Sequence, residues 1–102
     1  MKTNPGVREV TFDAAAGDRV KFDINFSSLV GQHGAIVVGD CVIAAEADFT
    51  LHSSTWSVGN TYLTLVLTAP STPATGKLAV TMAIKFTDNA ELLNFEAYVD
   101  LS

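Results

Sequence analysis

A chain of 102 residues is the length of one domain, and its 48% apolar residues are enough to fill a single core. No run approaches the roughly 18 unbroken apolar residues of a membrane span, and a single cysteine, Cys41, excludes both an internal disulfide framework and a cysteine-based zinc cluster. Six scattered basic residues against eleven acidic ones give a net charge of −5, which disfavours binding to nucleic acid or to an anionic membrane surface.

Met1–Gly6 is polar and holds a Pro-Gly pair, so it reads as an N-terminal arm over 1–6 ahead of a single domain over 7–102. It lacks the apolar run of a secretory leader, and the expectation is a chain that is cytosolic or delivered outside the general secretory route. Val7–Phe12 suits a first strand. Asp13–Asp18 turns the chain, with Gly17 as the positive-φ residue. Arg19–Phe26 alternates cleanly, with Val20, Phe22, Ile24 and Phe26 inward and Lys21, Asp23 and Asn25 outward, the period of a half-buried strand.

Ser27–Gly34 holds two glycines and two serines and reads as a loop. Ala35–Val38 is a short apolar strand, and Gly39-Asp40 is a turn. Over 41–48 the alanines and a capping Asp40 suit a short helix, while Cys41-Val42-Ile43 suits a strand running to Leu51. The β character of the surroundings favours the strand, and any helix in the chain is expected within Asp40–Asp48. Thr55–Val58 is centred on Trp56, Gly59-Asn60 is a hairpin turn pair, and Thr61–Thr68 places Leu63, Leu65 and Leu67 inward. Pro70–Gly76 is a rigid loop. Two long alternating runs close the chain around Thr87–Glu91. Leu78, Val80, Met82, Ile84 and Phe86 share a face of the first, and Leu93, Phe95, Ala97, Val99 and Leu101 share a face of the second. Seven to nine strands with regular turn signals predict an all-β antiparallel sandwich.

Residues that could carry chemistry do not fall at the spacings chemistry requires. His33 and His52 are the only histidines, nineteen positions apart, with His33 in a Gly31-Gln32-His33-Gly34 loop tip. Asp40, His52 and Ser53 or Ser54 supply the residue types of a hydrolase triad without a nucleophile-elbow motif. Asp13, Asp18 and Asp23 recur without calcium-loop spacing, and Asn25-Phe26-Ser27 matches a glycosylation acceptor whose Phe26 reads as buried. Cys41 lies in an apolar stretch and reads as a buried, inert thiol. Trp56 is a core anchor or, with Tyr62 and Tyr98, a stacking residue of a carbohydrate-binding module. The expectation is therefore a non-enzymatic protein with no catalytic, metal or cofactor-binding residue.

Charged residues are only 17% of the chain, against about 25% in typical soluble domains. Either other chains cover part of the surface or the eleven threonines keep it wet. The outward positions Lys77, Ala79, Thr81, Ala83 and Lys85 of the penultimate strand, and Thr64, Val66 and Thr68 of the strand before the Pro70 loop, are mostly small and weakly polar. Thr64, Val66, Thr68, Ala79, Thr81 and Ala83 are accordingly the expected partner-binding face.

Three stretches carry a family resemblance: Gly17-Asp18 leading into Arg19–Phe26, Thr68–Lys77 feeding Leu78–Phe86, and Thr87–Glu96 running into the closing strand. Their order resembles the small immunoglobulin-like domains of tailed-phage virion proteins, nearest the N-terminal domain of baseplate upper and fibre proteins. The resemblance implies an immunoglobulin-like β-sandwich and a virion structural protein assembled in the host cytoplasm. The fibre versions continue into a long shaft, so a domain of this size fits an accessory protein. The implied role is capsid decoration or cementing, with the major capsid protein as partner and the chain present as a homo-oligomer or in multiple copies. The other readings are a baseplate, neck or tail-fibre adaptor and a carbohydrate-binding module.

Overall fold

Alternation in the sequence becomes two sheets. The computed structural model describes residues 7–88 and 90–102, so the arm expected over 1–6 lies outside the described residues. The strands are β1 (Val7–Ala14), β2 (Arg19–Asn25), β3 (Val42–Ala45), β4 (Thr50–Trp56), β5 (Tyr62–Thr68), β6 (Ala74–Ile84) and β7 (Leu93–Leu101). One sheet has the order β1-β7-β6-β3 and the other β2-β5-β4. The all-β class is as expected. The pairing is not wholly antiparallel, because β1 runs parallel to β7, with Val7 beside Asn94 and Ala14 beside Leu101.

The core lies between the sheets. Phe22, Ile24, Leu63, Leu65 and Leu67 from one layer meet Val80, Met82, Ile84, Phe95, Ala97 and Val99 from the other, and all are buried. Val20 is half-buried against this core. Aromatic rings tie the layers together. Phe12 stacks on Phe22 with centroids 4.2 Å apart, and Phe26 meets Phe95 edge-on at 5.1 Å. Burying each large side chain contributes about 1.5–3 kcal/mol, so the alternating pattern specifies which face turns inward.

Four local expectations are corrected. Ser27–Gly34 is not a loop, because α1 spans Ser27–His33. The Asn25 Oδ1 accepts the Ser27 N–H at 2.8 Å, Val30 N–H donates to the Phe26 carbonyl at 2.9 Å, and Leu29 and Val30 rest on the core. The two glycines that suggested a loop do not prevent the helix: Gly31 lies within it at the usual cost of a helical glycine, and Gly34 follows it at φ +87°, a conformation that favours glycine. No helix forms within Asp40–Asp48 beyond the edge of a one-turn 3₁₀ segment at Val38–Asp40. The strand expected from Cys41 to Leu51 is instead two strands in different sheets, with Glu46–Phe49 turning the chain between them. Ala35–Val38 is reduced to a single bridge between Ile36 and Phe86.

A further correction concerns β6. A register shift between Leu78 and Val80 leaves Ala79 as an extra residue opposite β7, the pattern of a β-bulge. The bulge reverses the side-chain phase at the start of the strand. Ala79 is 0% exposed, and Leu78 aligns with the outward Tyr98. The Ala79 carbonyl accepts the Glu46 N–H at 2.8 Å, so the bulge also fixes the end of β3. A second shift, between Ala74 and Lys77, extends β6 into the stretch expected to be loop.

The turns gather at two poles. At one, Gly17 N–H reaches the Pro70 carbonyl at 2.8 Å and Ala16 N–H reaches Ser102 at 3.0 Å. Gly17 has φ +81°, as its turn requires. At the other, α1 lies beside the β6–β7 connection, where Thr87 N–H donates to Ala35 and Asp88 N–H to His33 at 3.0 and 3.1 Å.

Candidate functional site

The outward residues of β2, β5 and β4 form rows across the three-stranded sheet. Arg19, Thr68 and Thr50 lie side by side, then Lys21, Val66 and Ser53, then Asp23, Thr64 and Thr55, with Asn25 and Tyr62 completing the face. Short β-branched side chains occupy the middle strand because they suit a pleated, half-covered surface. The Thr64 hydroxyl donates to Asp23 Oδ1 at 2.7 Å. His52 sits at a register shift between Leu51 and Ser53, with its Nε2 2.7 Å from the Thr68 hydroxyl.

The outward face of the four-stranded sheet has two halves. Over β3 and β6 it is small and uncharged: Val42 aligns with Ala83 and Ala44 with Thr81, and Val42 is 58% exposed. A shallow depression of about 300 Å³ lies there, reaching Asn94 and Glu96. Over β7 and β1 the face is acidic. The register places Glu9 beside Glu96 and Asp13 beside Asp100, with Thr11 and Tyr98 between. Tyr98 donates its hydroxyl to Glu96 at 2.8 Å. That hydrogen bond, with partial burial and the nearby charges of Glu96 and Glu9, pushes the Tyr98 hydroxyl up to about 12.

The expected partner-binding residues therefore do not form one face. Thr64, Val66 and Thr68 lie outside the three-stranded sheet, whereas Thr81 and Ala83 lie outside the other, on the opposite side of the sandwich. Ala79 belongs to neither, because the bulge turns it into the core. Lys77 aligns with the inward Val99 and pairs with Asp48 at 2.7 Å, while the Lys85 ammonium donates to the Phe86 carbonyl at 3.0 Å.

The residue types of a hydrolase triad are dispersed. Asp40 precedes β3, and His52 engages Thr68 on the other sheet. His33 is not at a loop tip. It ends α1, with Nδ1 3.3 Å from Asp88 Oδ2 and its ring 5.5 Å from that of Phe86. Cys41 is half-buried, and desolvation raises its thiol pKa, an effect that the Lys85 N–H opposes and Asp40 reinforces. The raised value disfavours the thiolate. Among the described residues no three potential metal ligands converge. The aromatic residues weighed for sugar stacking are also separated. Trp56 turns inward with its ring 5.8 Å from Phe26, Tyr62 is exposed on the three-stranded sheet, and Tyr98 is on the other.

Comparison of the chain with protein-family models, curated proteins and solved structures gives no match. The charged arrangement on the outer faces escaped the sequence reading. Alternation shows that Glu9, Asp13, Glu96 and Asp100 point away from the core, but only the β1–β7 register makes them neighbours.

Proposed function

We propose that the protein is a non-enzymatic structural protein of a tailed-phage virion, with capsid decoration or cementing as its lead role and the major capsid protein as its partner. The observation that carries this reading is the pair of opposed outer faces built around Thr64, Val66 and Thr68 on one side and Thr81, Ala83 and Val42 on the other. Short side chains let another surface approach closely, and two such faces allow one copy to bridge two neighbours. Apolar and weakly polar area buried at these contacts supplies the adhesion. The resemblance of Gly17–Phe26, Thr68–Phe86 and Thr87–Glu96 to virion domains supplies the setting.

We also propose that the sandwich is immunoglobulin-like. Taking the seven strands in order as A to G, β2-β5-β4 is the B-E-D grouping and β7-β6-β3 the G-F-C grouping of that fold. The first strand departs from the constant-domain arrangement by joining G rather than B.

The test is particle composition. In a density gradient of particles from a producing culture, the chain is expected to band with intact virions at a copy number comparable to the shell subunit. Ala83→Glu, at an outward and half-covered position, is expected to preserve folding and reduce incorporation. Recovery only in isolated tails makes the protein an adaptor. A chain that never sediments with particles is not a virion protein.

A further inference from the structure

β2 is an open edge of the three-stranded sheet. Its ladder with β5 runs without a register shift from Arg19–Thr68 to Asn25–Tyr62. Two bonds flank that ladder: Ala69 N–H donates to the Asp18 carbonyl at 2.9 Å, and Phe26 N–H donates to the Thr61 carbonyl at 2.7 Å. In an antiparallel ladder the residues that exchange bonds with the neighbour recur at every second position. The even-numbered residues of β2 therefore turn their peptide groups to β5, and Arg19, Lys21, Asp23 and Asn25 turn theirs to the free edge. Among the described residues no backbone hydrogen bond from outside the β2–β5 ladder meets those groups. The four side chains are exposed on the outer face. Among the described residues Arg19 and Lys21 have no ion pair or hydrogen bond, and Asp23 uses only Oδ1, which accepts the Thr64 hydroxyl. The other edges are less suited to pairing. β3 has four residues, β4 shifts register at His52, and the outward Glu9, Thr11 and Asp13 of β1 include no base to oppose an acid.

We propose that two copies of the protein pair through β2, antiparallel and about a two-fold axis at Phe22, so that their sheets join as β4-β5-β2-β2-β5-β4. Charge selects both the occupant and the register. With Phe22 opposite Phe22, Lys21 of each copy lies across from Asp23 of the other, and Arg19 lies across from the neutral Asn25. Opposite charges placed directly across a strand pair attract, and like charges repel. Sliding one copy by two residues opposes Lys21 to Lys21 in one direction and Asp23 to Asp23 in the other. Sliding it by one sets open peptide groups against groups already bound to β5. Charged side chains on an edge commonly keep strands apart; here they disfavour the neighbouring registers and favour this one. The positions between bring the half-buried Val20 of each copy across from Ile24 of the other. A seven-residue strand is about 24 Å long, so the contact is narrow and held chiefly by main-chain hydrogen bonds, as in strand addition. A two-fold contact of this kind closes at two copies. It leaves the outer faces of both sheets open and brings Thr64, Val66 and Thr68 of the two copies onto one side. The inference goes beyond the virion role and stands without it.

Sedimentation velocity and amide hydrogen exchange on the purified chain test the contact. The weight-average sedimentation coefficient is expected to rise with protein concentration and level off at the dimer. Where about nine-tenths of the chain is dimeric, the amides of Arg19, Lys21, Asp23 and Asn25 are expected to exchange about tenfold more slowly than in dilute samples, because only the monomer leaves them open. The amides of Phe22 and Ile24, bound to β5, serve as the reference. Lys21→Asp and Asp23→Lys each oppose like charges across the two-fold, and each is expected to stay monomeric. Lys21→Asp/Asp23→Lys in one chain restores the pairing with the signs exchanged and is expected to dimerise, as is an equal mixture of the two single variants. Lys21→Pro removes an N–H at the free edge and leaves the β5 ladder intact, and is expected to fold and stay monomeric. Melting curves identify a variant that fails to fold; should Asp23→Lys do so, Lys21→Asp and Lys21→Pro decide. A wild type that stays monomeric at millimolar concentration overturns the proposal, and so does assembly past the dimer or unchanged exchange at the four amides. A folded Lys21→Asp or Lys21→Pro variant that dimerises as well as the wild type also overturns it, as does a folded double variant, or a mixture of folded single variants, that stays monomeric.

Discussion

Tyr98 is the side chain whose chemistry the fold changes most visibly. Its hydroxyl donates to Glu96, and losing that proton would set a phenolate beside the charges of Glu96 and Glu9. The folded protein therefore holds the proton more tightly than the unfolded chain. The resulting stabilisation is complete below the ordinary value of 10.0 and is lost as pH rises toward about 12. An ultraviolet titration is expected to show a tyrosinate step near 12 that disappears in Tyr98→Phe and moves down in Glu96→Gln. Ala79 and Ala83 make a second contrast. They look equivalent in the sequence, yet one is sealed in the core and the other faces out. Ala79→Glu is expected to unfold the domain or cost several kcal/mol by burying an unpaired charge, while Ala83→Glu stays within about 0.5 kcal/mol in urea melts. Gly34 combines φ +87° with ψ −173°, a region essentially reserved for glycine, and an added Cβ would also meet the Thr87 hydroxyl. Gly34→Ala is expected to cost about 1–3 kcal/mol, measured by the same melts.

At the level of elements, burial can be checked one strand at a time. Leu65 and Ile84 are each 0% exposed, on opposite layers. Replacing either with alanine is expected to lower stability by about 2–5 kcal/mol in denaturant unfolding, and a cost below about 1 kcal/mol would mean that the side chain is not in the core. These strands were legible because Arg19–Phe26, Thr61–Thr68 and Leu93–Leu101 keep an unbroken period of two. Legibility failed where the period breaks or where a tertiary contact overrides local preference. One inserted residue at Ala79 moves a side chain from surface to core without altering the composition of the strand. α1 is a weak helix by propensity, with Gly31 inside it, and its placement depends on the Asn25 side chain and on Leu29 and Val30 reaching a core formed by distant residues. Phe49 was likewise unassigned, and it becomes a core residue because Glu46–Phe49 reverses the chain between sheets. The expectation that Thr64, Val66, Thr68, Ala79, Thr81 and Ala83 share one outward face failed for the same reason. Facing outward is a property of one strand, whereas sharing a face requires knowing which sheet each strand joins.

For the molecule as a whole, the first strand is completed only by the last. β1 cannot pair until β7 is in place, so the largest loop must close before that ladder gains anything. Folding is expected on the millisecond-to-second scale of β-sandwiches rather than in microseconds. Trp56 is the sole tryptophan and lies half-buried beside Phe26, so its fluorescence in a stopped-flow experiment reports on the transition. The parallel β1–β7 pair also governs how the protein bears load. Val7 of β1 leads toward one pole and Leu101 of β7 toward the other, so tension applied at the two ends of the chain slides these strands lengthwise past each other. Eight aligned residue pairs, from Val7–Asn94 to Ala14–Leu101, must then give way together instead of unzipping in turn. Single-molecule stretching between the ends is expected to need a higher force than pulling from the β4–β5 hairpin, because the same hydrogen bonds resist shear collectively and peeling one at a time.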